Sequence, residues 1–470
     1  MLNNMVFDDN ILGSHRALSD CNAQFLCFIR DNPEYLNRSH YKTLVKNPEW
    51  GSNSEYNVQP WPTFVNERTK NRIAGAALKV QKLIALIPEK LFSYDCQKIS
   101  AYYEVSVNSL KSLMGGVNTD LLLSGLGRGD FMLTPNGEFK CIEFNLTTNV
   151  AGWWTEFMEP KYLNVPAIKS FLRQNEIRYH RNRLFEILFS YILRSSHLEA
   201  FKNNEKVNLA IAVPNPERLH SISCYLNKLY QRTLHLLDSR LKGSLSICTA
   251  NDLTLASDTL EISGTKIHML VDMCSGGQPI SWFTLVKSKR LHLYNIPASV
   301  IMSNKLNLAL LSEYQESDLF TYEERQDIAS HVPWTRKTVH GMTNYRTKRV
   351  QLEDFALRNR EILVLKHTLQ LGGKDVYIGA HTANEEWKQK VKKAFDEKKW
   401  ILQEFVPSQS YYYQTGSAGF APHHVIWGPF VFGGNYAGAW ARVAPVGSLQ
   451  GVINGSRGAE ESTIIEIDER

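Results

Sequence analysis

Across its 470 residues the sequence has no apolar run that could cross a bilayer, which takes about 20 residues. The nearest candidate, residues 184–193, is short and bracketed by Arg183 and Arg194. The opening residues lack the basic stretch and apolar core of a secretory leader. Seven cysteines stand far apart, at 21, 27, 96, 141, 224, 248 and 274, with no CxxC pair, so neither a zinc knuckle nor a disulfide frame is indicated. Positive charge is scarce for a nucleic-acid binder: 53 Lys and Arg face 47 Asp and Glu, a net +6 without strong clustering. No internal repeat, low-complexity tract, Walker-type GKS or GKT, or Ser-His-Asp or Cys-His arrangement is visible. These absences leave a soluble cytoplasmic enzyme of two or three domains as the expectation, with neither nucleic acid nor membrane as partner.

The pattern that is present divides the chain. Residues 1–120 read as mostly helical, with aliphatic residues at helical spacing over 73–91 and a stop near Pro88. Residues 121–206 carry a strong hairpin and further helices. Residues 207–298 alternate strand, helix and strand, with a hairpin-like LEISGTKIHMLVD, as a compact α/β unit does. Residues 299–470 begin helical and turn to strands after 361, with one charged helix at 385–398.

The hairpin is the most informative stretch. Asn136-Gly137 between two alternating runs predicts a two-residue type I′ turn. That register sets Asp130 opposite Glu143 and Arg128 opposite Asn145, all on one face, with Phe131, Leu133, Ile142 and Phe144 on the core face. Opposed carboxylates repel at cross-strand distance. A divalent cation would offset that, and an oxygen-only Asp, Glu and Asn set suits magnesium. Arg128 beside them fits a phosphate or carboxylate. A solvated face with incidental charges is the alternative.

Two later segments add phosphate and base chemistry. A strand ending in Lys366 leads into Gly372-Gly373, where the backbone can approach phosphates closely; a plain hairpin with a flexible tip reads equally well. The strand at 400–406 ends before Pro407 and can offer backbone groups to a purine, or serve only as core.

Together these residues resemble the ATP-grasp ligases, in the circularly permuted order of eukaryotic-type glutathione synthetase and glutathionylspermidine synthetase: R-x-D and E-x-N first, then V-L-K…G-G and I-L-Q-E-F-V. The resemblance implies an α+β chain: a permuted ATP-grasp fold, an inserted small α/β substrate domain at 207–298 and a helical N-terminal region. It implies ATP and Mg2+. Asp130, Glu143 and Asn145 would bind the metal, and Arg128 the transferred phosphate or the substrate. Lys305, reached through a linker at Asn295-Ile296-Pro297, and Lys366 would hold nucleotide phosphates. Gly372 and Gly373 would close over them, and Gln403, Glu404 and Val406 would line the adenine. The family carries a metal-binding Glu ahead of its glycines where this chain has Gln370. Its C-terminal substrate motif also differs, so glutathione is not inferred as the product.

Gly/Asn-rich loops at 433–436 and 451–458, the latter with Asn454, Gly455 and Arg457, flank a strand bearing Arg442. They read either as substrate loops around a catalytic arginine or as turns beside a surface arginine. His381, His423, His424 and the Tyr411–Tyr413 run read as structural, as does Arg336. The expected activity is ATP-dependent joining of a small-molecule carboxylate, such as an amino acid or peptide, to an amine through an acyl phosphate. A kinase on the same scaffold, or a nucleotide-binding regulator without turnover, is the alternative. A homodimer is expected by analogy.

Overall fold

The computed structural model describes residues 7–36, 57–114, 117–148, 150–196, 206–274, 280–294, 298–370, 372–415 and 419–469. The expected linker at 295–297 and the glycines at 276–277 lie outside them. The architecture is mixed α+β.

Its centre is an eight-stranded sheet. The path runs Thr63–Asn66, Glu460–Asp468, Asn435–Pro445, Gly419–Phe432, Leu126–Leu133, Phe139–Asn145, with Ser410–Thr415 and Arg178–His180 attached at its flanks. Within the mostly helical N-terminal region, Thr63–Asn66 is thus a strand. Thr63–Asn66 pairs in parallel with the last strand, Thr63 beside Ile464, so segments about 400 residues apart are stitched into one sheet. Pairing between distant segments leaves no local mark in sequence.

Against one face of this sheet lies the helix Glu67–Lys90, capped by the Asn66 side chain on the Thr69 N–H. Its buried Ile73, Ala77, Val80, Ile84 and Ile87 pack with Phe131, Leu133, Phe139 and Phe144. Pro88 lies inside its last turn rather than ending it. Burial of that stripe against the sheet carries the helix through the proline, in keeping with tertiary packing rather than propensity supplying most helical stability.

The α/β stretch forms a four-stranded parallel sheet, ordered His292–Tyr294, Met269–Asp272, Leu209–Ala212, Leu245–Cys248. Leu209–Ala212 and Met269–Asp272 are buried along their whole length, as parallel strands covered on both faces are. Ahead of Met269, Thr259–Ile262 and Thr265–Ile267 form the predicted hairpin.

A third, antiparallel sheet is ordered Thr335–Lys337, Trp400–Glu404, Leu363–His367, Val376–Ile378. Leu363, Leu365, Trp400 and Leu402 turn to the helix Asn384–Glu397. By the two-residue alternation of strands, Val364, Lys366 and Gln403 face the other way, into a cleft against the central sheet.

Candidate active site

The hairpin brings its charged residues together by a different route from the one its turn predicts. Asn136 does not take positive φ; only Gly137 does, at 82°. The Gly137 N–H donates to the Thr134 carbonyl (2.8 Å), and the Thr134 N–H to the Glu138 carbonyl (2.9 Å). The loop therefore has three residues, and Leu133 pairs with Phe139, one residue off the predicted register. A bulge between Asp130 and Phe131 cancels the offset, so Asp130 does face Glu143 and Arg128 does face Asn145. The bulge also moves Ile142 off the core face. It packs with Met132, Val406 and Ile426 as cleft floor.

Asp130 does not stand against Glu143 as a bare repelling pair. Arg128 Nη2 donates to its Oδ1 at 3.0 Å and Arg442 Nη2 to its Oδ2 at 2.5 Å. Burial alone would raise its pKa, yet the Arg442 and Arg128 guanidiniums hold it below its ordinary value. Both arginines also lie over the Trp440 ring, at 5.0 and 5.4 Å. Trp440 fits because residue 428 is glycine: a Cβ there would come within 2.3 Å of its indole nitrogen. Both carboxylate oxygens of Asp130 are thus committed to arginines.

Glu143 is the more open carboxylate, its side chain 22% exposed, and Lys305 Nζ approaches its Oε1 at 3.2 Å. Glu143 and Asn145 are two apart on one strand and share a face. Among the described residues no three His, Cys, Asp or Glu side chains converge as a metal cluster. Magnesium needs no such cage, since it commonly takes one or two carboxylates together with substrate phosphates. Glu143 and Asn145 fit that smaller demand, whereas Asp130, locked by its arginines, serves to hold them in place.

The two lysines bridge the cleft. Lys366 Nζ donates to Gln403 Oε1 (2.7 Å) and to the Ile142 carbonyl (3.1 Å) on the opposite wall. Burial pushes its ammonium down to about 8, with the Glu143 charge opposing. Lys305 Nζ also donates to the Gln370 carbonyl at 2.8 Å. Gln403 Nε2 donates to Thr335 Oγ1 at 3.1 Å. Glu404 accepts from the Tyr345 hydroxyl (2.9 Å) and Arg346 (3.3 Å). Gln403, Glu404, Phe405 and Val406 all line the cleft.

Over the opening, the Gly372–Gly373 turn meets the 451–458 loop. Both glycines have φ near 70°. A Cβ on Gly373 would sit 3.1 Å from Val452 and 3.3 Å from Asn454. Ser456 Oγ donates to the Gly372 carbonyl at 2.8 Å. Asn454 lines the cleft; Gly455 and Arg457 do not. The enclosed volume is about 90 Å³, below the roughly 300 Å³ at which ligand pockets usually begin. A nucleotide therefore requires these two loops to separate.

The other Gly/Asn loop is a hairpin turn. Gly433 and Gly434 take φ of 55° and 75° between paired Phe432 and Asn435, the type I′ geometry. Gly433 abuts Tyr191, so this turn is not part of the cleft. His423 is buried and meets the Ala421 carbonyl, Tyr411 packs on Trp427, and neither lines the cleft. Glu461, which the sequence reading passed over, is the Cα partner of Arg442 and accepts from Trp154 Nε1 at 2.6 Å. Burial raises its carboxyl to about 7, against the Trp154 bond and the Arg442 and Arg128 charges. An acidic residue in a strand otherwise buried from 461 to 465 was its only sequence signal.

No family model matches the chain, and no curated protein matches it in sequence. Among solved structures it is similar to a glutathione synthetase-like effector of Globodera pallida in its apo form, at 11% identity and a TM-score of 0.53, covering 87% of this chain and 90% of that one. The likeness shows a glutathione synthetase-like fold. Among the described residues no helix is long and apolar enough to cross a membrane.

Proposed function

We propose that the chain is a circularly permuted ATP-grasp ligase, joining a small-molecule carboxylate to an amine with release of ADP and phosphate. The observation that carries this reading is the convergence of Lys366, Arg442, Asp130 and Glu143 in one cleft between two sheets, with Lys305 paired to Glu143, Arg128 to Asp130, and Asn145 opposite Arg128 in the hairpin. Four cations against few free carboxylates suit a polyphosphate.

Lys366 and Lys305 would exchange their carbonyl, amide and carboxylate partners for phosphate oxygens. Gln403, Glu404 and Val406 would line the base. Arg442 and Arg128, fixed by Asp130 and Trp440, would stabilise charge spread over the phosphoryl group in transfer. Magnesium, held by Glu143 and Asn145, would neutralise phosphate charge. Gly373 and Asn454 would close over the acyl phosphate and keep water from it. The order of the motifs, with the hairpin ahead of the glycine turn, is what supports permutation.

The test is a screen of amino acids and small peptides as acyl donors with ATP, magnesium and hydroxylamine. A ligase gives a hydroxamate with ADP and free phosphate in equal amounts. A stable phosphorylated product formed without any amine would instead make the chain a kinase. A second reading, nucleotide binding without turnover, is favoured by Gln370, which lacks the carboxylate of the family and offers its backbone carbonyl to Lys305. Saturable ATP binding without ADP release for any donor would select it.

A further inference from the structure

The charge of the chain is gathered on one side of the cleft. Residues 335–404, the wall built from the third sheet, the helix Asn384–Glu397 and the glycine turn, hold fifteen Lys and Arg against nine Asp and Glu, a net +6. The whole chain is also +6, so the rest of it is neutral in sum. Most carboxylates on this wall are paired: Glu361 with Arg360, Glu385 with Lys388, Glu397 with Lys393 and Glu404 with Arg346. Lys374, Lys392, Lys398 and Lys399 are exposed, and among the described residues no carboxylate pairs with them. Like charges gathered in this way repel one another, a cost that packing does not return.

Three of these lysines stand by the phosphate end of the cleft. Lys374 follows Gly373, where a Cβ would meet Val452 and Asn454 across the opening. Lys398 and Lys399 join the helix Asn384–Glu397 to the strand Trp400–Glu404. The Lys399 carbonyl accepts from the Thr368 N–H at 2.9 Å, and the Thr368 carbonyl from the Lys305 N–H at 3.4 Å. Burial lowers the pKa of the His367 ring, with the Asp375 and Glu397 charges opposing and those of Lys305 and Lys399 adding. Both ammoniums thus act on the same edge of the sheet. The surface has the sign for an anion but not the form for a membrane or a nucleic acid. The apolar face of Asn384–Glu397 is spent on the core at Trp387, Val391 and Phe395, so none is left to enter a bilayer. Tyr345 packs on Phe355, and Tyr377 lies under Lys390, so neither is offered to a base for stacking.

We propose that this wall is a steering surface for the nucleotide: Lys374, Lys398 and Lys399 draw the polyphosphate anion to the mouth of the cleft and raise its association rate, without holding it once bound. A patch of one sign beside a cleft raises the local concentration of the opposite ion and the rate of encounter, and salt removes the effect. The proposal rests on the reading of the cleft as a nucleotide site.

Stopped-flow fluorescence with methylanthraniloyl-ATP, excess magnesium and the full chain tests it, the association rate being read from the slope at low nucleotide. In the parent that rate should fall about tenfold between about 10 mM and about 150 mM salt, as the screening length shortens from about 30 to about 8 Å. The triple variant Lys374→Glu, Lys398→Glu, Lys399→Glu brings the wall to zero net charge. It should associate about tenfold more slowly than the parent at the lower salt, approach it at the higher, and keep the parent's dissociation rate. Lys366→Ala, which removes a contact inside the cleft, should instead raise the dissociation rate. A parent rate that ignores salt, or a triple variant that associates as fast as the parent at low salt, would overturn the proposal and leave the cleft reading standing. So would a triple variant whose loss lies in dissociation, which would make these lysines direct ligands. No binding by the parent at any salt would overturn the proposal and the cleft reading together.

Discussion

The two walls of the cleft are held by different forces. On the hairpin wall, Asp130 is clamped by two buried guanidiniums stacked on Trp440. On the other, the Ser456 hydroxyl ties the glycine turn to the 451–458 loop, and Val452 of that loop packs with Val364 and Ile378. Buried, hydrogen-bonded charge fixes geometry and makes loss of one partner costly. The bridge between exposed Ser456 and Gly372 can break and reform at small cost. The two walls divide the labour: buried charge fixes the arginines on one, and on the other an exposed hydroxyl joins two loops over the opening.

The largest way to break this contrast is Asp130→Asn. If opposed carboxylates simply repelled each other, removing one charge would stabilise the apo protein. With two arginines left facing an amide, the expectation reverses: a loss of about 3–5 kcal/mol in denaturant unfolding. Glu143→Gln, on the more open carboxylate, takes the partner from buried Lys305 and should cost less than Asp130→Asn, about 1–3 kcal/mol. Equal and small effects for both variants would show that the hairpin wall is not charge-locked.

Glu461 sharpens the same wall through pH. Its folded carboxyl titrates near 7, above its ordinary 4.5, so the folded state holds the proton more tightly. Its contribution to stability is complete below the unfolded value and is lost as pH rises through about 7. Glu461→Gln should therefore match the parent at pH 5 and exceed it at pH 8 by on the order of 2 kcal/mol. Thermal melts at the two values would read the difference, and a variant that is less stable at pH 8 would contradict it.

The smallest effect is expected at the lid. Gly373→Ala forces a side chain into left-handed backbone at φ 70°, worth about 1–2 kcal/mol, and pushes on Val452. Because that strain is local, the global melting temperature should barely move, while proteolysis at the 370s without nucleotide should quicken. An unchanged digestion pattern would mean the lid is as rigid as the hairpin.

What could be read from sequence follows the same division. The pairing of Asp130 with Glu143 was legible because alternation and an Asn-Gly turn act over a few residues. It came out right because two departures, the three-residue loop and the bulge, cancelled; Ile142, lying at the bulge, changed face. Lys366 was legible as the end of a strand leading to the glycines, and Gln403 only through the ATP-grasp resemblance. Arg442 stood out by its flanking loops, but its tie to Asp130, 312 positions away, was not readable, and neither was the place of Trp440 or Glu461. Those are set by which strands become neighbours in the central sheet. The glycines at 433–434 show the converse: the same composition that marks a lid at 372–373 here makes a simple turn.

The proposed function makes the cleft a polyphosphate site that Lys366 serves as a charged group. Its direct test is calorimetric titration of ATP with magnesium into the parent and Lys366→Ala at pH 6.5 and pH 9. With the ammonium near 8 in the free protein, it is charged at the lower pH and largely neutral at the higher one. The parent should bind ATP up to about tenfold more weakly at pH 9, the fall in the charged fraction of a group near 8. Lys366→Ala should bind weakly at both with little pH dependence. Equal ATP affinity for the two proteins at pH 6.5, or no ATP binding by either, would contradict the assignment.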